Sequence, residues 1–387
     1  MNNNFRTHIA GVPDLNSLYQ EAVELLSRLI NTPSISGEEQ EAANLAAQFL
    51  ADHGVDAFRR YNNVWCYNRY QSSSKPTILL ISHHDTPKPI KLNSDPFHPI
   101  IKEERIYGLG SNDAGGTLVA LLATFLYFFE NPDLPFNLCF AATAEEENSG
   151  AHGIRSILDV LKQADFAIVG EPTAMQMAVA EKGSMVIDCK VKGISGHAAR
   201  EEGENAIYRA LKDIDWFKNY LFPIMDGCPQ PVKMTVTEIS GGTQHNVIPA
   251  ACSFTVDIRF DHNYTPREII NTIINHTQCE FDVRPNVSKP SAINLLHPIV
   301  IAGISLGIKT YLSPTSSDQC WLDMPSIKIG PGNPTCSHTE NEFIGVEQIE
   351  EGINIYIKLL TQIDLSSWST KNKVKASVIN QKGISLV

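Results

Sequence analysis

Thr77-Ile-Leu-Leu-Ile-Ser-His-His-Asp-Thr86 begins as an unbroken apolar run and ends in residues that bind metals or move protons. A strand buried on both faces reads this way, because neither side of its pleat meets water. The stretch predicts a central strand of an α/β sheet, with His83, His84 and Asp85 at its carboxyl end. Two more segments share the design. Phe136–Thr143 is followed by Glu145, Glu146 and Glu147, and Phe166–Val169 by Gly170-Glu171-Pro172-Thr173. Ligands and catalytic groups of open α/β sheets gather outside such strand ends.

Helical patterns surround these strands. Leu15–Ile30 and Glu38–His53 have apolar residues at near-helical spacing, and Thr117–Phe129 and Ile154–Lys162 follow. Ser36 with Glu39 three residues on predicts a capping box for the second helix. From about Ser184 the order becomes strand, helix, strand, strand, helix, strand, the pattern of a separate α+β domain. The α/β texture resumes near Pro298. The expected organisation is a catalytic domain split into 1–183 and 294–364, an inserted domain over 184–293, and a polar basic tail over 365–387.

Composition narrows the function classes. The 387 residues are 43% hydrophobic and 19% charged, a globular balance, and the net charge of −12 opposes a phosphate-neutralising nucleic-acid binder. Neither a signal-peptide pattern nor an uninterrupted membrane-spanning run is read, so no membrane association is expected. The eight cysteines are scattered without a C-x-x-C pair, which predicts reduced thiols in a cytoplasmic protein.

The chemistry-bearing residues, in chain order, are His83, Asp85, Asp113, Glu146, Glu147, Glu171 and His338. Singly, each is an ordinary strand-end residue. Together, two imidazoles and several carboxylates suit a pair of Zn²⁺-like ions, with one carboxylate bridging. The Glu146-Glu147 pair can supply both a ligand and a free base.

Seven strings then occur in a telling order: ISHHDTPKP, YGLGSNDAGGTLVALL, AATAEEENSG, VGEPT, GISGHAA, GGTQHNVIPAACSFTVDIR and PGNPTCSHTENEFI. They resemble the M20 metallopeptidase family over about residues 15–362. The resemblance implies a zinc-exopeptidase-like α/β/α catalytic domain carrying an inserted ferredoxin-like lid and dimerisation domain. It also implies two Zn²⁺, with Co²⁺ able to substitute, and hydrolysis of an N-acyl amino acid.

Residue roles follow from the same resemblance. His83 and Glu171 would be terminal ligands of one metal, and Glu147 and His338 of the other. Asp113 would bridge them, Asp85 would orient His83, and Glu146 would be the general base. His197 would reach a partner subunit's centre in a homodimer and stabilise the oxyanion. Asn246 and Arg259 would grip the substrate's carboxylate, and the Gly330-Pro331-Gly332 turn would offer backbone N–H groups to the pocket. Within the family, N-acetyl-ornithine and arginine biosynthesis are the first expectation. N-succinyl-ornithine, N-acetyl-citrulline, N-succinyl-diaminopimelate and dipeptides are the alternatives.

Two departures stand beside the resemblance. The family's D-x-K-G-G is here Asp113-Ala-Gly-Gly, without the lysine, and its D-E-E is Glu145-Glu146-Glu147. The second leaves a register in which base and ligand would each move back one residue. His84 beside His83 poses a similar choice, for which the spacing to Asp85 favours His83.

Overall fold

The computed structural model describes residues 14–89, 95–200, 202–224 and 231–366, so the basic tail falls outside the described residues from 367 onward. Contacts divide the chain into two units. Among the described residues, one comprises 14–180, Ala292–Leu312 and 317–366; the other comprises Glu181–Ser291 with Ser313–Ser316.

The first unit opens with α1 (Leu15–Ile30), whose Leu18, Ala22, Leu25, Leu26 and Leu29 form one buried stripe. Helix α2 (Gln40–Asp52) follows, and here the expected capping box fails. Glu39 occupies the N-cap without a side-chain cap bond, while the Ser36 hydroxyl donates to Asp85 Oδ2 at 2.7 Å. The helix begins at Gln40, three residues beyond where a box on Ser36 would start it, and the Ser36 hydroxyl is held by a charge-assisted bond to a buried carboxylate. Strands β1 (Ala57–Arg60), β2 (Asn63–Tyr67) and β3 (Thr77–His83) precede α3 (Gly116–Phe129), β4 (Asn137–Thr143), β5 (Phe166–Val169) and β6 (Met177–Glu181).

The second unit contains β7 (Gly183–Lys192), β8 (Gly196–His197), α4 (Ala206–Asn219), β9 (Val232–Gly241), β10 (Val247–Ile248), β11 (Ala251–Phe260), α5 (Pro266–His276) and β12 (Glu280–Val283). Its antiparallel sheet runs β9-β11-β7-β12, the ferredoxin-like arrangement of a βαββαβ chain. Helix α5 starts where the sequence prescribes it, with Pro266 in its first turn and a Thr265–Glu268 capping box. Ile187, Val256, Ile258, Phe217 and Ile273 belong to this unit's own core.

The chain then returns to the first unit with α6 (Pro298–Ser305), β13 (Ser326–Lys328) and α7 (Val346–Gln362). The large sheet contains the order β1-β2-β4-β3-β5-β13-β6. Helices α1, α3 and α7 pack together, and their apolar residues share one core with residues of the sheet. Leu79, Ile81, Ala141, Ile157 and Leu161 belong to a second cluster, giving the α/β/α layering. The stretch Ser111–Phe129 is long and apolar enough to cross a membrane, yet 94% of its apolar window is buried, and α3 serves as a core helix. The seven cysteines among the described residues are free, six of them buried.

Strand register sets the site. β3 lies parallel to β4 with His83 opposite Thr143, and parallel to β5 with Ile81 opposite Val169. β13 is parallel to β5, with Lys328 also opposite Val169. Four carboxyl ends therefore coincide, and the next few residues of each strand emerge on one rim.

Candidate metal centre

His83 is the last residue of β3 and is almost fully buried. Its Nε2 lies 3.3 Å from Asp113 Oδ1 and 3.9 Å from Glu171 Oε1. The other oxygen of Asp113, Oδ2, lies 3.4 Å from His338 Nε2, which is also 3.1 Å from Glu147 Oε2. Asp113 thus faces two separate imidazole–carboxylate sets, one oxygen toward each. Donor atoms of His83, Asp113 and Glu147 fall within 4.8 Å of one another.

Asp85 ties the loops bearing these side chains together. Its Oδ1 accepts the backbone N–H of Glu146 at 3.0 Å, and Oδ2 accepts that of Glu147 at 3.1 Å. The ring Nδ1 of His83 is 3.0 Å from the Asp85 carbonyl oxygen and 3.5 Å from its carboxylate. The shorter contact that orients the imidazole is therefore to the main chain of Asp85. The adjoining carboxylate mainly holds the loop bearing Glu146 and Glu147.

The neighbouring acids separate by direction. Glu145 turns toward residues 150–152, accepting the His152 N–H at 3.0 Å, so its carboxylate serves the loop. Glu147 reaches His338, whereas Glu146 lies in the field of His83, Glu171 and Glu147. His84 points elsewhere: it is buried, neither ring nitrogen has a hydrogen-bond partner among the described residues, and burial pushes it down to about 4.

Charge crowding has the expected effects. Burial first, then the Glu171 and Glu147 charges, push the Glu146 carboxyl well above the usual range, against the lowering influence of His83. Glu171 is pushed up to about 8, chiefly by burial. His338 is pushed up to about 9 by its bond to Glu147. Buried like charges disfavour one another's ionisation, and a cation relieves that conflict. Imidazole nitrogens and carboxylate oxygens are ligands a pair of divalent transition ions accepts, so the side chains fit such a centre.

Residues invisible to motif reading support this rim. Ser36 holds Asp85, and the buried Thr143 hydroxyl donates to Asp318 at 2.6 Å, a carboxylate whose charge is felt at Glu146. Glu342 accepts the N–H groups of Asn112 and Asp113. Its place four residues beyond His338, in the polar run Ser337-His-Thr-Glu-Asn-Glu342, was the available signal. In the Gly330-Pro331-Gly332 turn the Gly330 N–H is taken by Thr173 Oγ1 at 3.0 Å and Pro331 has none, which narrows what the turn can offer to the N–H of Gly332. Gly332 has another use, since a Cβ there would come within 2.3 Å of Asn112 Oδ1. Beside His338 opens a cavity of about 390 Å³ whose walls include Pro87, Lys88, Tyr107, Leu109 and Thr339.

His197, Asn246 and Arg259 belong to the second unit. His197 and Asn246 are neighbours there, with His197 opposite Val247 and the Ala198 N–H donating to the Asn246 carbonyl at 3.0 Å. Arg259 is not with them. It sits near the far end of β11, its guanidinium forked onto Asp257 by two bonds of 2.8 Å.

The profile of Peptidase family M20/M25/M40 matches residues 79–362, spanning β3 through the last residue of α7. The chain belongs to this family. It is a metal-dependent amidohydrolase of the M20 fold, with relatives that include a dinuclear metal binding peptidase from Bacillus subtilis (TM-score 0.65, 16% identity, 89% of this chain and 98% of that one). A succinyl-diaminopimelate desuccinylase from Delftia acidovorans is 26% identical across 88% of this chain and 97% of the relative. One from Coxiella burnetii is likewise 26% identical, covering 88% and 98%. A tripeptidase structure from Staphylococcus aureus superposes with a TM-score of 0.71 at 21% identity, covering 96% and 100%.

Proposed function

We propose that this M20 hydrolase cleaves the amide of an N-acylated amino acid, with N-succinyl-diaminopimelate as the first substrate in place of N-acetyl-ornithine. The observation that carries the reaction is the single carboxylate of Asp113 between two imidazole–carboxylate sets. The succinyl group is supported by the desuccinylases that align over 88% of this chain and nearly all of their own length. Arginine biosynthesis goes with the N-acetyl-ornithine reading and gives way with it.

The centre would take two Zn²⁺, replaceable by Co²⁺: one held by His83, Asp113 and Glu171, the other by Asp113, Glu147 and His338. When bound, such ions supply Lewis acidity for the scissile carbonyl and make a water acidic near neutral pH. Glu146 takes the proton of the attacking water and returns it to the departing amine nitrogen. Asp85 keeps Glu146 and Glu147 on the same loop geometry through their backbone N–H groups. His197 donates to the developing oxyanion. The products are a carboxylate and a free amino acid.

A homodimer is part of this reading. Eight residues of strand separate Ala251, beside the His197–Asn246 end, from Arg259, on the order of 25 Å at ~3.3 Å per residue. One small substrate does not span that distance, so Asn246 and Arg259 would serve it only from two copies. The second unit has surface suited to a second copy. Strand β9 is the sheet's outer strand with Ile239 exposed, and α4, which packs beside it, exposes Tyr208 and Leu211.

The test is amine release from N-succinyl-diaminopimelate, N-succinyl-ornithine, N-acetyl-ornithine, N-acetyl-citrulline and dipeptides, with zinc or cobalt added. The expected result is the highest kcat/KM on the succinyl diacid. Faster turnover of N-acetyl-ornithine or a dipeptide would overturn the acyl-group assignment.

A further inference from the structure

Asp113 and His338 are 225 positions apart in sequence, and the two loops carrying them are stapled on both sides of His338. On the far side, Glu342 is buried and its Oε1 accepts the N–H groups of Asn112 at 2.8 Å and Asp113 at 3.0 Å. On the near side, the Asn112 side chain donates to the Asn333 carbonyl at 3.1 Å and to Ser337 Oγ at 3.0 Å, and accepts the Asn333 N–H at 2.9 Å. Between these anchors, Thr339, Glu340 and Asn341 are exposed, and His338 adopts a left-handed φ of 57°. A left-handed non-glycine residue in an exposed loop persists only where its surroundings hold it.

We propose that Glu342 and Asn112 form a positioning clamp that sets the spacing between Asp113 and His338, and through it the affinity of the second cation position. The clamp touches neither substrate nor cation. It works by fixing the Asn112–Asp113 backbone from one end of the His338 loop and residues 333–337 from the other. The inference rests on the two-cation reading above. Removal of groups that orient metal ligands lowers metal affinity by about 10–100-fold.

The experiment is zinc titration of metal-free wild type, Glu342→Gln, Glu342→Ala and Asn112→Ala by calorimetry or against a chromophoric chelator, with Tm of each metal-free protein alongside. Glutamine keeps an oxygen that accepts both N–H groups, so Glu342→Gln should bind both zincs within about threefold of wild type. Glu342→Ala should weaken one of the two sites by about 10–100-fold and leave the other unchanged. Asn112→Ala should weaken the same site, and it carries the test alone if Glu342→Ala does not fold. Metal-free Tm values close to wild type separate positioning from general loosening. Unchanged affinity at both sites in Glu342→Ala, equal weakening of both, or a Glu342→Gln as impaired as the alanine variant would overturn the clamp. Fewer than two zincs bound by wild type would overturn the two-cation reading itself, and the clamp with it.

Discussion

The Asp85 carboxylate accepts the backbone N–H of Glu147 at 3.1 Å, joining the end of β3 to the loop after β4. The same carboxylate takes the Glu146 N–H and the Ser36 hydroxyl. Burial opposes its ionisation, but the bonds from His83, Ser36 and the Glu146 backbone hold it below the usual carboxylate range. The carboxylate thus holds the loop that carries Glu146 and Glu147, while the main-chain carbonyl of the same residue orients the His83 imidazole.

Replacing Asp85 with asparagine leaves one acceptor oxygen for two backbone N–H groups and turns an amide NH₂ toward the other. Asp85→Asn should bind zinc about 10–100-fold more weakly and lose kcat/KM to a similar degree. Zinc titration and steady-state kinetics at saturating metal check this, and wild-type values in both would reject the role.

Glu146 and Glu147 are adjacent in sequence and should fail differently. Glu146→Gln keeps every metal-facing group and should retain two zincs per chain while kcat falls by about 10²–10⁴. Glu147→Ala removes a contact to His338 and should lose one zinc per chain, measured by elemental analysis. If Glu146→Gln loses zinc while Glu147→Ala keeps both zincs and near-normal kcat, the register of base and ligand moves back by one residue, to Glu145 and Glu146.

How much was legible depended on the range of each interaction. The apolar runs before His83 and Glu145 marked buried strands because burial on both faces leaves a local signature, and the strand-end acids came with them. Ser36 was misread because its partner, Asp85, is 49 residues away, and a capping box is the strongest local use of that hydroxyl. Glu342 and Asn112 escaped for the same reason: each serves backbone more than 200 positions distant. Asn246 and Arg259 read as one carboxylate grip from two nearby strings, and strand length alone separates them in space.

Acid stability should depend on His297, far from the centre in sequence. It caps α6, with Nδ1 accepting the Ile299 N–H at 3.3 Å, and burial pushes it from 6.5 down to about 4. The folded state resists protonation that the unfolded chain accepts, so stability is full above pH 6.5 and falls as pH drops toward 4. The loss corresponds to about 3 kcal/mol at 1.36 kcal/mol per unit. Asparagine is a good N-cap without that titration, so His297→Asn should flatten the profile between pH 6.5 and 4 in urea unfolding. An unchanged acid slope would remove His297 as its source.

Complementation tests whether His197 acts on the partner subunit's centre. His197→Ala and Glu146→Gln should each be nearly inactive alone. In a mixed dimer, the centre retaining Glu146 receives the intact His197 of the other chain, while the second centre lacks its base. Random assembly makes about half of the dimers mixed, each with one working centre, so about a quarter of wild-type activity should return in the unfractionated mixture and about half in dimers purified through both tags. The measurement is kcat of co-expressed, doubly tagged dimers against each parent. Absence of recovery in purified mixed dimers would place His197's action within its own chain, and the 25 Å argument for shared lids would then have to yield to a different use of Asn246 or Arg259.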